Sequence, residues 1–481
     1  MRIKKLLTII ISMIFLGISY SHAANFDYQR IEQWLGYNEA LWVDVDNLWN
    51  RYIVWNFYST SYFWSTMLSS YGMQDAFITK ISPTGDYLRA IQWWGNNPDV
   101  DVVFPYWIKV DSEWNSYIAW YFQWTVNFWS TSLISSGEND IFITKISPTG
   151  DYLRAIQWWG ISNDGVGWIG IDNQWNIYIA WYFLWTATFW PTTLISNGGY
   201  DFFITKLSPV GDYLRTTQWW GNEYNIVDWI VVDNLWNSYI AWDFVWTTNF
   251  WWIVLVSNAI QNTFVAKLSS TGEYLRAVKW WGNDPDNDWN YGVGLSMDNW
   301  WNSYIAGNFW WTANFWSTIL ISSNNVDNTF IAKLSSTGEY LRAIQWEGQI
   351  SWIWVDSLWN SYIAGNFDLP TLSLWSTTLI NNDPSTDTND IFIEKISSAW
   401  EYLWVIQWWG IDDDYANWIT IDNEWNSYIV WSFMWTATFW SLTLTSSNSS
   451  YSNAFIAKIW DIFTWSILIN NGAASTTVTW V

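Results

Sequence analysis

Three aspartates at alternate positions are the part of this sequence that best matches a metal site. Asp284, Asp286 and Asp288 lie in the segment Asn-Asp-Pro-Asp-Asn-Asp-Trp, and carboxylates on a loop are ligands that Ca²⁺ prefers. If glycine stood in place of Trp289, the segment would read Asp-x-Asp-x-Asp-Gly, as a calcium loop begins. The twelfth position is Leu295, however, where such a loop carries Glu. The segment is therefore either a Ca²⁺ site, the one cofactor that the sequence suggests, or a solvated acidic loop, which is the favoured interpretation.

The composition excludes several classes of active site. The chain contains no Cys, and its one His, His22, lies in an N-terminal segment that we expect to be removed. Thiol nucleophiles, Cys/His zinc sites and histidine-based triads are therefore ruled out. Carboxylate chemistry remains, and Asp243, Glu347 and Glu394 are acids that stand where other repeats carry different residues. Two carboxylates held about 5–10 Å apart can hydrolyse a glycosidic bond, but the sequence assigns no catalytic residue.

Two charged residues recur once in each of seven repeats. An aspartate opens the motif Asp-x-x-Trp-Asn-x-Tyr-Ile at Asp46, Asp111, Asp172, Asp233, Asp298, Asp356 and Asp422. A lysine ends the motif Phe-Ile/Val-x-Lys at Lys80, Lys145, Lys206, Lys267, Lys333, Lys395 and Lys458. An Asp that opens a tight turn commonly accepts backbone N–H bonds, so we expect turns here and not metal ligands. The lysines are expected to form salt bridges between neighbouring units or to extend their stems along apolar surface.

The spacing of these residues defines seven units of 61 to 66 residues. Each unit has four runs rich in β-branched and aromatic residues, for example Trp107–Asp111, Ser116–Phe122, Asp140–Ser147 and Tyr152–Trp158. Four antiparallel strands per unit, repeated radially, predict an all-β fold, a seven-bladed β-propeller over residues 24–468. The units are longer than the roughly 40–50 residues of common propeller blades. The surplus lies in one connection, such as 123–139, which we expect to hold extra edge strands.

The two ends of the repeat array complement one another. Asp27–Trp34 matches Asp86–Trp93, the last strand of the first complete unit, whereas the seventh unit lacks a clear copy after Lys458. We therefore expect the N-terminal strand to complete the last blade and close the ring. Asp461–Asn470 is the competing strand. Residues 469–481 are predicted to be a C-terminal tail or the start of a further module.

The N-terminal segment reads as an export signal. A cluster of cations precedes the apolar run Leu6–Tyr20, and small residues follow up to Ala23. The run is shorter than the ~20 apolar residues of a spanning helix, so residues 1–23 are predicted to be a signal peptide. We expect a secreted or cell-surface protein with no membrane span after cleavage. The formal net charge of −24 disfavours nucleic acid as a partner.

Tryptophan and glycine replace one another when the repeats are aligned. The chain has 52 Trp and only 25 Gly. One column holds Trp55, Trp120, Trp181, Trp242, Trp431, Gly307 and Gly365; a second holds Trp42, Trp107, Trp168, Trp229, Trp352, Trp418 and Gly294; a third holds Gly85, Gly150, Gly211, Gly272, Gly338 and Trp400. The same position of a repeat cannot be packed both for an indole and for a hydrogen atom. Many of these tryptophans are therefore expected to be glycine in the molecule that the cell makes.

A further set of tryptophans stands in the Asp-x-x-Trp-Asn turns, at Trp49, Trp114, Trp175, Trp236, Trp301, Trp359 and Trp425. A tight turn of this kind needs a left-handed residue, which a bulky side chain resists. UGA is one base from the glycine codon GGA, and some bacteria read UGA as glycine, so the codon is expected to have been translated here as Trp. A column without Gly is expected to be authentic tryptophan: Trp34, Trp93, Trp158, Trp219, Trp280, Trp346 and Trp408. A chain truly rich in tryptophan, with indoles that stack on sugars, is the alternative.

With glycine restored, the repeat resembles a known family. Tyr106–Phe122 then reads Tyr-Gly-Ile-Lys-Val-Asp-Ser-Glu-Gly-Asn-Ser-Tyr-Ile-Ala-Gly-Tyr-Phe, and Asp140–Gly160 ends in Gln-Trp-Gly-Gly. This pattern is similar to the bacterial β-propeller repeat called SBBP, over residues 26 to about 460. The resemblance implies a secreted or cell-surface propeller, often part of a larger protein. It carries over no catalytic residue.

Three functional alternatives follow from these patterns. The favoured one is an exported binding or adhesion module whose partner is a glycan, a peptide or a surface protein. The second is a structural spacer in a longer surface protein, and the third is a carboxylate-based glycan hydrolase or lyase. Repeat-breaking polar residues clustered on one rim would favour binding, an even scatter would favour the spacer, and two apposed acids in a channel would favour the enzyme.

Overall fold

A computed structural model describes most of the chain. The described residues are 20–33, 38–58, 60–63, 66–71, 74–95, 97, 101–128, 131–160, 165–189, 192–196, 199–221, 225–245, 247–250, 253–257, 261–280, 282, 289–322, 328–381, 388–410, 414–433, 436–439, 442–445, 453–470 and 475–480. Their regular structure is entirely β-strand. Within these ranges, no helix is long and apolar enough to cross a membrane.

The strands are numbered here in chain order. The first eleven are β1 (Tyr20–Gln33), β2 (Asn38–Val45), β3 (Arg51–Phe57), β4 (Thr60–Phe63), β5 (Thr66–Ser69), β6 (Asp75–Ile81), β7 (Tyr87–Trp93), β8 (Val102–Val110), β9 (Ser116–Phe128), β10 (Thr131–Ile146) and β11 (Tyr152–Gly160). The next twelve are β12 (Gly165–Ile171), β13 (Ile177–Phe183), β14 (Thr186–Phe189), β15 (Thr192–Ile195), β16 (Asp201–Leu207), β17 (Tyr213–Gly221), β18 (Asn225–Val232), β19 (Ser238–Phe244), β20 (Thr247–Phe250), β21 (Ile253–Val256), β22 (Asn262–Leu268) and β23 (Tyr274–Trp280).

The second half of the chain repeats the same order of strands. It begins with β24 (Trp289–Met297), β25 (Ser303–Trp310), β26 (Thr312–Phe315), β27 (Thr318–Ile321), β28 (Asn328–Leu334), β29 (Tyr340–Glu347), β30 (Gln349–Val355), β31 (Ser361–Phe367), β32 (Thr371–Leu374), β33 (Thr377–Ile380), β34 (Asp390–Ile396) and β35 (Tyr402–Gly410). It ends with β36 (Asp414–Ile421), β37 (Ser427–Phe433), β38 (Thr436–Phe439), β39 (Leu442–Thr445), β40 (Asn453–Asn470) and β41 (Ser475–Trp480).

Seven four-stranded antiparallel blades form a ring, so the predicted seven-bladed β-propeller is confirmed. From the axis outwards, the blades are β2-β3-β6-β7, β8-β9-β10-β11, β12-β13-β16-β17, β18-β19-β22-β23, β24-β25-β28-β29, β30-β31-β34-β35 and β36-β37-β40-β1. They are called blades 1 to 7 in this order. The second strands are buried along their whole length in blades 1 and 6, at Arg51–Phe57 and Ser361–Phe367. A strand covered on both faces by neighbouring sheets needs apolar residues on both sides, and these continuous runs supply them.

The turns between third and fourth strands follow the predicted chemistry. In blade 1, Ser82 N donates to Asp86 O at 2.8 Å, and Gly85 N donates to Ser82 O at 2.9 Å. Gly85 has φ +82°, as the left-handed position of this turn requires. In blade 6 the same place is held by Trp400, with φ +66°.

The surplus residues of each unit form a hairpin, called here the arm, between the second and third strands. The predicted extra strands are thus present, as β4–β5, β14–β15, β20–β21, β26–β27, β32–β33, β38–β39 and, in blade 2, the ends of β9 and β10. The arm of blade 3 reaches back to the fourth strand of blade 2, where Trp159 pairs with Thr188 and Gly160 with Ala187. The arms of blades 4 and 7 do the same to blades 3 and 6. Each of these arms therefore extends one sheet while it belongs to the next, which ties adjacent blades together.

The ring closes through the N-terminal strand, as predicted. The pairs are Arg30 with Lys458, Ile31 with Ala457, Glu32 with Ile456 and Gln33 with Phe455. The competing segment 461–470 instead continues β40 in line, and Ser475–Trp480 folds back on it as β41. The residues of β1 before Ala24, which belong to the predicted signal peptide, pair with 464–467.

Candidate functional site

Six indoles from the first strands of six blades meet at the axis of the ring. They are Trp42, Trp107, Trp168, Trp229, Trp352 and Trp418. The ring centres of Trp352 and Trp418 lie 3.9 Å apart, and Trp168 of blade 3 stacks on Trp352 of blade 6 at 5.0 Å. In blade 5 the equivalent residue is Gly294, where a Cβ would lie 2.8 Å from Ile353 Cγ2. Contacts between blades that are not neighbours show that this column fills the centre of the propeller.

The axial position two residues further along each first strand is different in all seven blades. Its residues are Asp44, Lys109, Gly170, Val231, Ser296, Trp354 and Thr420. The residues just before them are uniform and aliphatic: Val43, Ile108, Ile169, Ile230, Leu295, Ile353 and Ile419, all of them buried. Alternate residues of a strand face opposite sides. The position that packs between blades is therefore repeated, and the axial position next to it is not.

A cavity of about 240 Å³ opens at this axial position. Six of the seven variable residues line it, and Trp107, Trp168, Trp352 and Trp418 also lie in its lining. Ile171, Val232, Met297 and Val355 supply apolar wall. We call this cavity the axial mouth.

One ion pair crosses the axial mouth. Lys109 Nζ donates to Asp44 Oδ1 at 3.0 Å, which joins blade 2 to blade 1. The same amine lies 5.5 Å from the ring centre of Trp354, on blade 6. Val110 N donates to the other oxygen, Asp44 Oδ2, at 2.7 Å. Lys109 thus reaches the side chains of two other blades and stays partly exposed, whereas the Asp44 carboxylate is buried and bonded at both oxygens.

Ser296 of blade 5 accepts a hydrogen bond from the first strand of blade 6, as Asp44 of blade 1 does from the first strand of blade 2. Val355 N donates to Ser296 Oγ at 3.1 Å. In both cases, a side chain of the variable column accepts the N–H of the neighbouring first strand. Two of the polar residues at the mouth therefore help to join blades, besides facing the cavity.

The rim around the axial mouth varies less, with leucine in three blades, glutamate in two, and Gln and Trp in the other two. The tips of the Asp-x-x-Trp-Asn turns carry Leu48, Glu113, Gln174, Leu235, Trp300, Leu358 and Glu424. Leu235 is 54% exposed and Trp300 is 65% exposed. These turns follow the first strands directly, so the rim and the axial mouth belong to one face of the ring. Repeat-breaking residues are clustered on that face.

The predicted metal residues Asp284, Asp286 and Asp288 lie outside the described residues. Within the described ranges, no group of three or more His, Cys, Asp or Glu residues could hold a metal ion. The related loops of blades 2 and 7 are described only at Asp101 and Asp414. Asp101 Oδ2 accepts from Asn97 N at 2.6 Å.

The seven turn aspartates are bonded as turn residues, as expected. In blade 3, Asp172 Oδ1 accepts from the backbone N–H groups of Gln174 and Asn176, each at 2.9 Å. Its Oδ2 accepts from Asn176 Nδ2 at 2.8 Å and from the Tyr178 hydroxyl at 3.2 Å. Lys206 Nζ lies 3.4 Å from the same oxygen. The pKa of Tyr178 is raised, chiefly by burial and further by the charge of Asp172. The pKa of Lys206 is lowered by burial.

The prediction that these lysines form salt bridges between neighbouring units was wrong, because each recorded pair lies within one unit. Lys206 lies on the third strand of the blade that also carries Asp172, and the other recorded pairs of this type are likewise formed inside one blade. The reason is that the first and third strands end on the same face, two strands apart. The lysine amine also lies over the tyrosine ring between them, at 4.7 Å for Lys206 and Tyr178.

Glu394 is buried beside the arm of its own blade, and Asp243 is half-buried at the junction of blades 4 and 5. Glu394 is fully buried, and its Oε1 accepts from Trp375 Nε1 at 2.8 Å. Its Oε2 has no hydrogen-bond partner within the described residues, and burial raises the pKa of Glu394 to about 8. Asp243 accepts from Gln261 Nε2 at 2.9 Å and from Gly292 N of blade 5 at 3.1 Å. Burial raises the pKa of Asp243 to about 7.

The three repeat-breaking acids do not form one site. Asp243, Glu347 and Glu394 belong to blades 4, 5 and 6, on second, fourth and third strands respectively. None of them lines the axial mouth. Sequence reasoning selected these acids because they are carboxylates that break the repeat, and it missed the axial column. The signal was present as one position, two residues after the Trp42 column, that differs in every unit.

Comparisons with known proteins give matches of low similarity. No protein-family model and no curated protein matches it. Among solved structures, the propeller domain of the Trilobed protease from Pyrococcus furiosus is 6% identical with a TM-score of 0.39, over 92% of this chain and 97% of that one. BamB from Moraxella catarrhalis is 8% identical with a TM-score of 0.36, over 91% of this chain and 100% of that one. The fold is therefore assigned from the strand order of the chain itself.

Proposed function

We propose that the chain is an exported binding module that holds its ligand on the face where the axial mouth opens. The observation that carries this proposal is the axial column, where seven repeats present seven different residues, or six if Trp354 is glycine in the cell, beside a column that stays aliphatic. Positions that serve only the architecture of a ring keep one residue type in every blade. A position that differs in all of them is free to meet one asymmetric ligand.

A structural spacer is the alternative, and it would need no such face. In a spacer, drift is expected to affect exposed positions evenly. The exposed leucines at the start of the fourth strands argue against even drift, since Leu88, Leu153, Leu214, Leu275 and Leu341 repeat the same residue at 49–53% exposure. Residues of similar exposure are thus leucine in five blades on the outer strands, whereas the rim of the mouth carries four different residue types.

Glycan and peptide arrays test the proposal, with partner capture from envelope extracts as a further screen. Leu235→Ser changes the rim, and Leu214→Ser is its matched control, because the two leucines are 54% and 49% exposed. We expect Leu235→Ser to weaken or abolish the signal and Leu214→Ser to leave it unchanged. Equal loss in both variants, or no signal on any array or extract, would support the spacer.

We further propose that the molecule made in the cell carries glycine at the disputed positions and belongs to the SBBP type of repeat. In the described residues, all thirteen non-glycine residues with positive φ are tryptophan. They include the seven turn tryptophans, with φ from +63° to +69°. Left-handed backbone costs a bulky residue of the order of 1 kcal/mol or more at each position. Glycine removes this cost at all thirteen.

The buried Trp55 column supports the same proposal by its packing. At Gly307, a Cβ would lie 2.5 Å from Tyr291 O and 2.5 Å from Phe330 Cζ. At Gly365, it would lie 2.4 Å from Gln349 O. In blade 1 the indole of Trp55 instead stacks on Phe77, with ring centres 5.8 Å apart. One column thus has two packing arrangements, and glycine would let every blade adopt the arrangement of blades 5 and 6.

Mass spectrometry of the native protein tests both the recoding and the export. Peptides that span Trp49, Trp114 and Trp175 should have the masses of glycine peptides, and those that span Trp93 and Trp158 should keep tryptophan. The mature N-terminus should follow residue 23, and the protein should occur in the envelope or the medium. Tryptophan masses at the turns would overturn the recoding and the family assignment together.

A further inference from the structure

We infer that the axial mouth binds a small ligand with a carboxylate group on an apolar body. This inference rests on the binding function proposed above and names the chemical class of the ligand. It follows from a count of which polar groups at the mouth still have hydrogen-bonding capacity, and from the nature of the wall around them.

The acceptor at the mouth is already used. Asp44 is buried, and its two oxygens accept from Lys109 Nζ at 3.0 Å and from Val110 N at 2.7 Å. A cationic ligand would have to displace Lys109 from this carboxylate and would leave the lysine amine without its partner. Breaking a partly buried ion pair to form an equivalent one yields little net binding. The mouth is therefore poorly suited to an ammonium group.

The donors at the mouth are not used up. A lysine amine has three N–H groups, and Lys109 gives one to Asp44 and turns its charge toward the ring of Trp354. The amine has no other hydrogen-bond acceptor in the described part of the chain. Ser296 Oγ accepts from Val355 N, and within the same ranges its hydroxyl hydrogen has no acceptor. These donors would be satisfied by a group with two acceptor oxygens. A carboxylate supplies both oxygens and the negative charge that attracts the lysine amine.

The rest of the wall favours an apolar body. Ile171, Val232, Met297 and Val355 face the cavity, and none of them offers a hydrogen bond. The volume of about 240 Å³ corresponds to roughly eight water molecules at about 30 Å³ each. A short aliphatic acid or a single-ring aromatic acid is of this size. A longer polymer would have to extend out of the mouth over the rim.

The donors on which the inference rests are present with either residue at the disputed positions, whereas the cavity volume applies to the chain with tryptophan. Lys109, Asp44 and Ser296 are themselves neither Trp nor Gly, although their column contains Gly170 and Trp354. With glycine at 354, the lysine amine would lose the ring beneath it and keep Asp44, which leaves one more N–H group for a ligand. With glycine at the six axial tryptophans, the cavity would lose its indole floor and deepen along the axis. Neither change removes the donors.

Isothermal titration calorimetry with defined probes tests the inference. Sodium hexanoate and sodium benzoate are titrated into the full chain, with hexylamine and hexanol as probes of the same body and different head group. We expect hexanoate to bind at least tenfold more tightly than hexylamine or hexanol. Lys109→Met should weaken hexanoate at least tenfold, because a charge-assisted hydrogen bond is lost, and Lys109→Arg should retain binding.

A second variant separates ligand binding from a purely structural ion pair. Asp44→Asn keeps an acceptor for Val110 N and releases the lysine charge, so hexanoate should bind several-fold more tightly. Lys145→Met is the matched control, since it makes the same exchange in the same blade but outside the mouth, and it should not alter binding. Equal affinity for hexanoate and hexanol, unaffected by Lys109→Met, would overturn the carboxylate inference while the binding function remained. No heat with any probe would also overturn it, and the arrays described above would then decide the binding function separately.

Discussion

The axial mouth and the Asp–Lys–Tyr clusters lie on the same face of the ring but differ in what the repeat preserves. Each cluster has the same three residue types in all seven blades, for example Asp172, Lys206 and Tyr178 in blade 3. As the sequence is written, the axial column has no residue type in common between any two blades, and with glycine at 354 only blades 3 and 6 share one. Both regions contain charged side chains, so charge alone does not mark the functional part of a repeat protein. The residue that changes between repeats marks it.

The contrast has a physical origin in the bonding of each region. In a cluster, the aspartate accepts from two backbone N–H groups, an amide and a hydroxyl, so any change leaves several donors unsatisfied. At the mouth, Lys109 has a single hydrogen-bond partner in the described part of the chain, and Gly170 or Val231 fills the same place with none. The first region is therefore constrained in every blade, and the second is free to vary.

The largest effect on stability is expected from a cluster. Asp172→Ala leaves two backbone N–H groups, Asn176 Nδ2 and the Tyr178 hydroxyl without their acceptor, and it leaves Lys206 without its counter-charge. We expect a loss of about 3 kcal/mol in the free energy of unfolding, measured by urea denaturation. Asp172→Asn keeps one acceptor oxygen and should lose less than half as much. Equal losses in the two variants would mean that the hydrogen bonds contribute little.

A smaller and pH-dependent effect is expected from Glu394, which breaks the repeat at a buried position of blade 6. Its pKa is about 8 in the folded chain, against an ordinary value near 4.5. The folded state therefore holds a proton that the unfolded state releases, so stability is lost as the pH rises from about 4.5 to about 8. Glu394→Thr, the residue of blades 1 to 3, should remove this dependence. Its advantage over the parent should grow to about 2 kcal/mol by pH 8, measured as the denaturation midpoint at pH 5 and pH 8.

Replacing Asp243 should also remove a loss of stability at high pH, but a smaller one, because Asp243 accepts hydrogen bonds from Gln261 and Gly292. The equivalent residue of blade 5, Asn308, donates to Ile350 O at 3.1 Å and accepts from Ile350 N at 2.9 Å. An ionised Asp243 can only accept from Gly292, whereas a protonated one can also donate. Asp243→Asn should therefore stabilise the chain by about 1 kcal/mol above pH 7 and change little at pH 5. A variant that is less stable at both values would contradict this role for the proton.

Sequence reasoning predicted the fold because the repeat supplies the evidence seven times. The turn at Ser82–Asp86, the strand with Lys80 and the closing strand around Arg30 each follow from local patterns that tertiary contacts then reinforce. The candidate site was not predicted, because a single sequence shows residue types but not which face of the first strand turns to the axis. The bulge between Ala40 and Trp42 shifts that register by one residue. Glu394 was noticed as an exception, but its burial beside Trp375 depends on how the arm of blade 6 folds, which spacing along the chain does not reveal.

The smallest effect on stability is expected at the axial mouth. Lys109 is about one third exposed, at 32% of its side chain, so solvent screens its attraction to Asp44 and the pair contributes little. Lys109→Met should change the free energy of unfolding by less than about 1 kcal/mol, in the same urea assay as Asp172→Ala. If it instead costs as much as Asp172→Ala, the ion pair is part of the architecture like the clusters, and its restriction to blades 1 and 2 would have no functional meaning. If stability is kept while the ligand response changes, the varied position serves binding and the repeated position serves the ring.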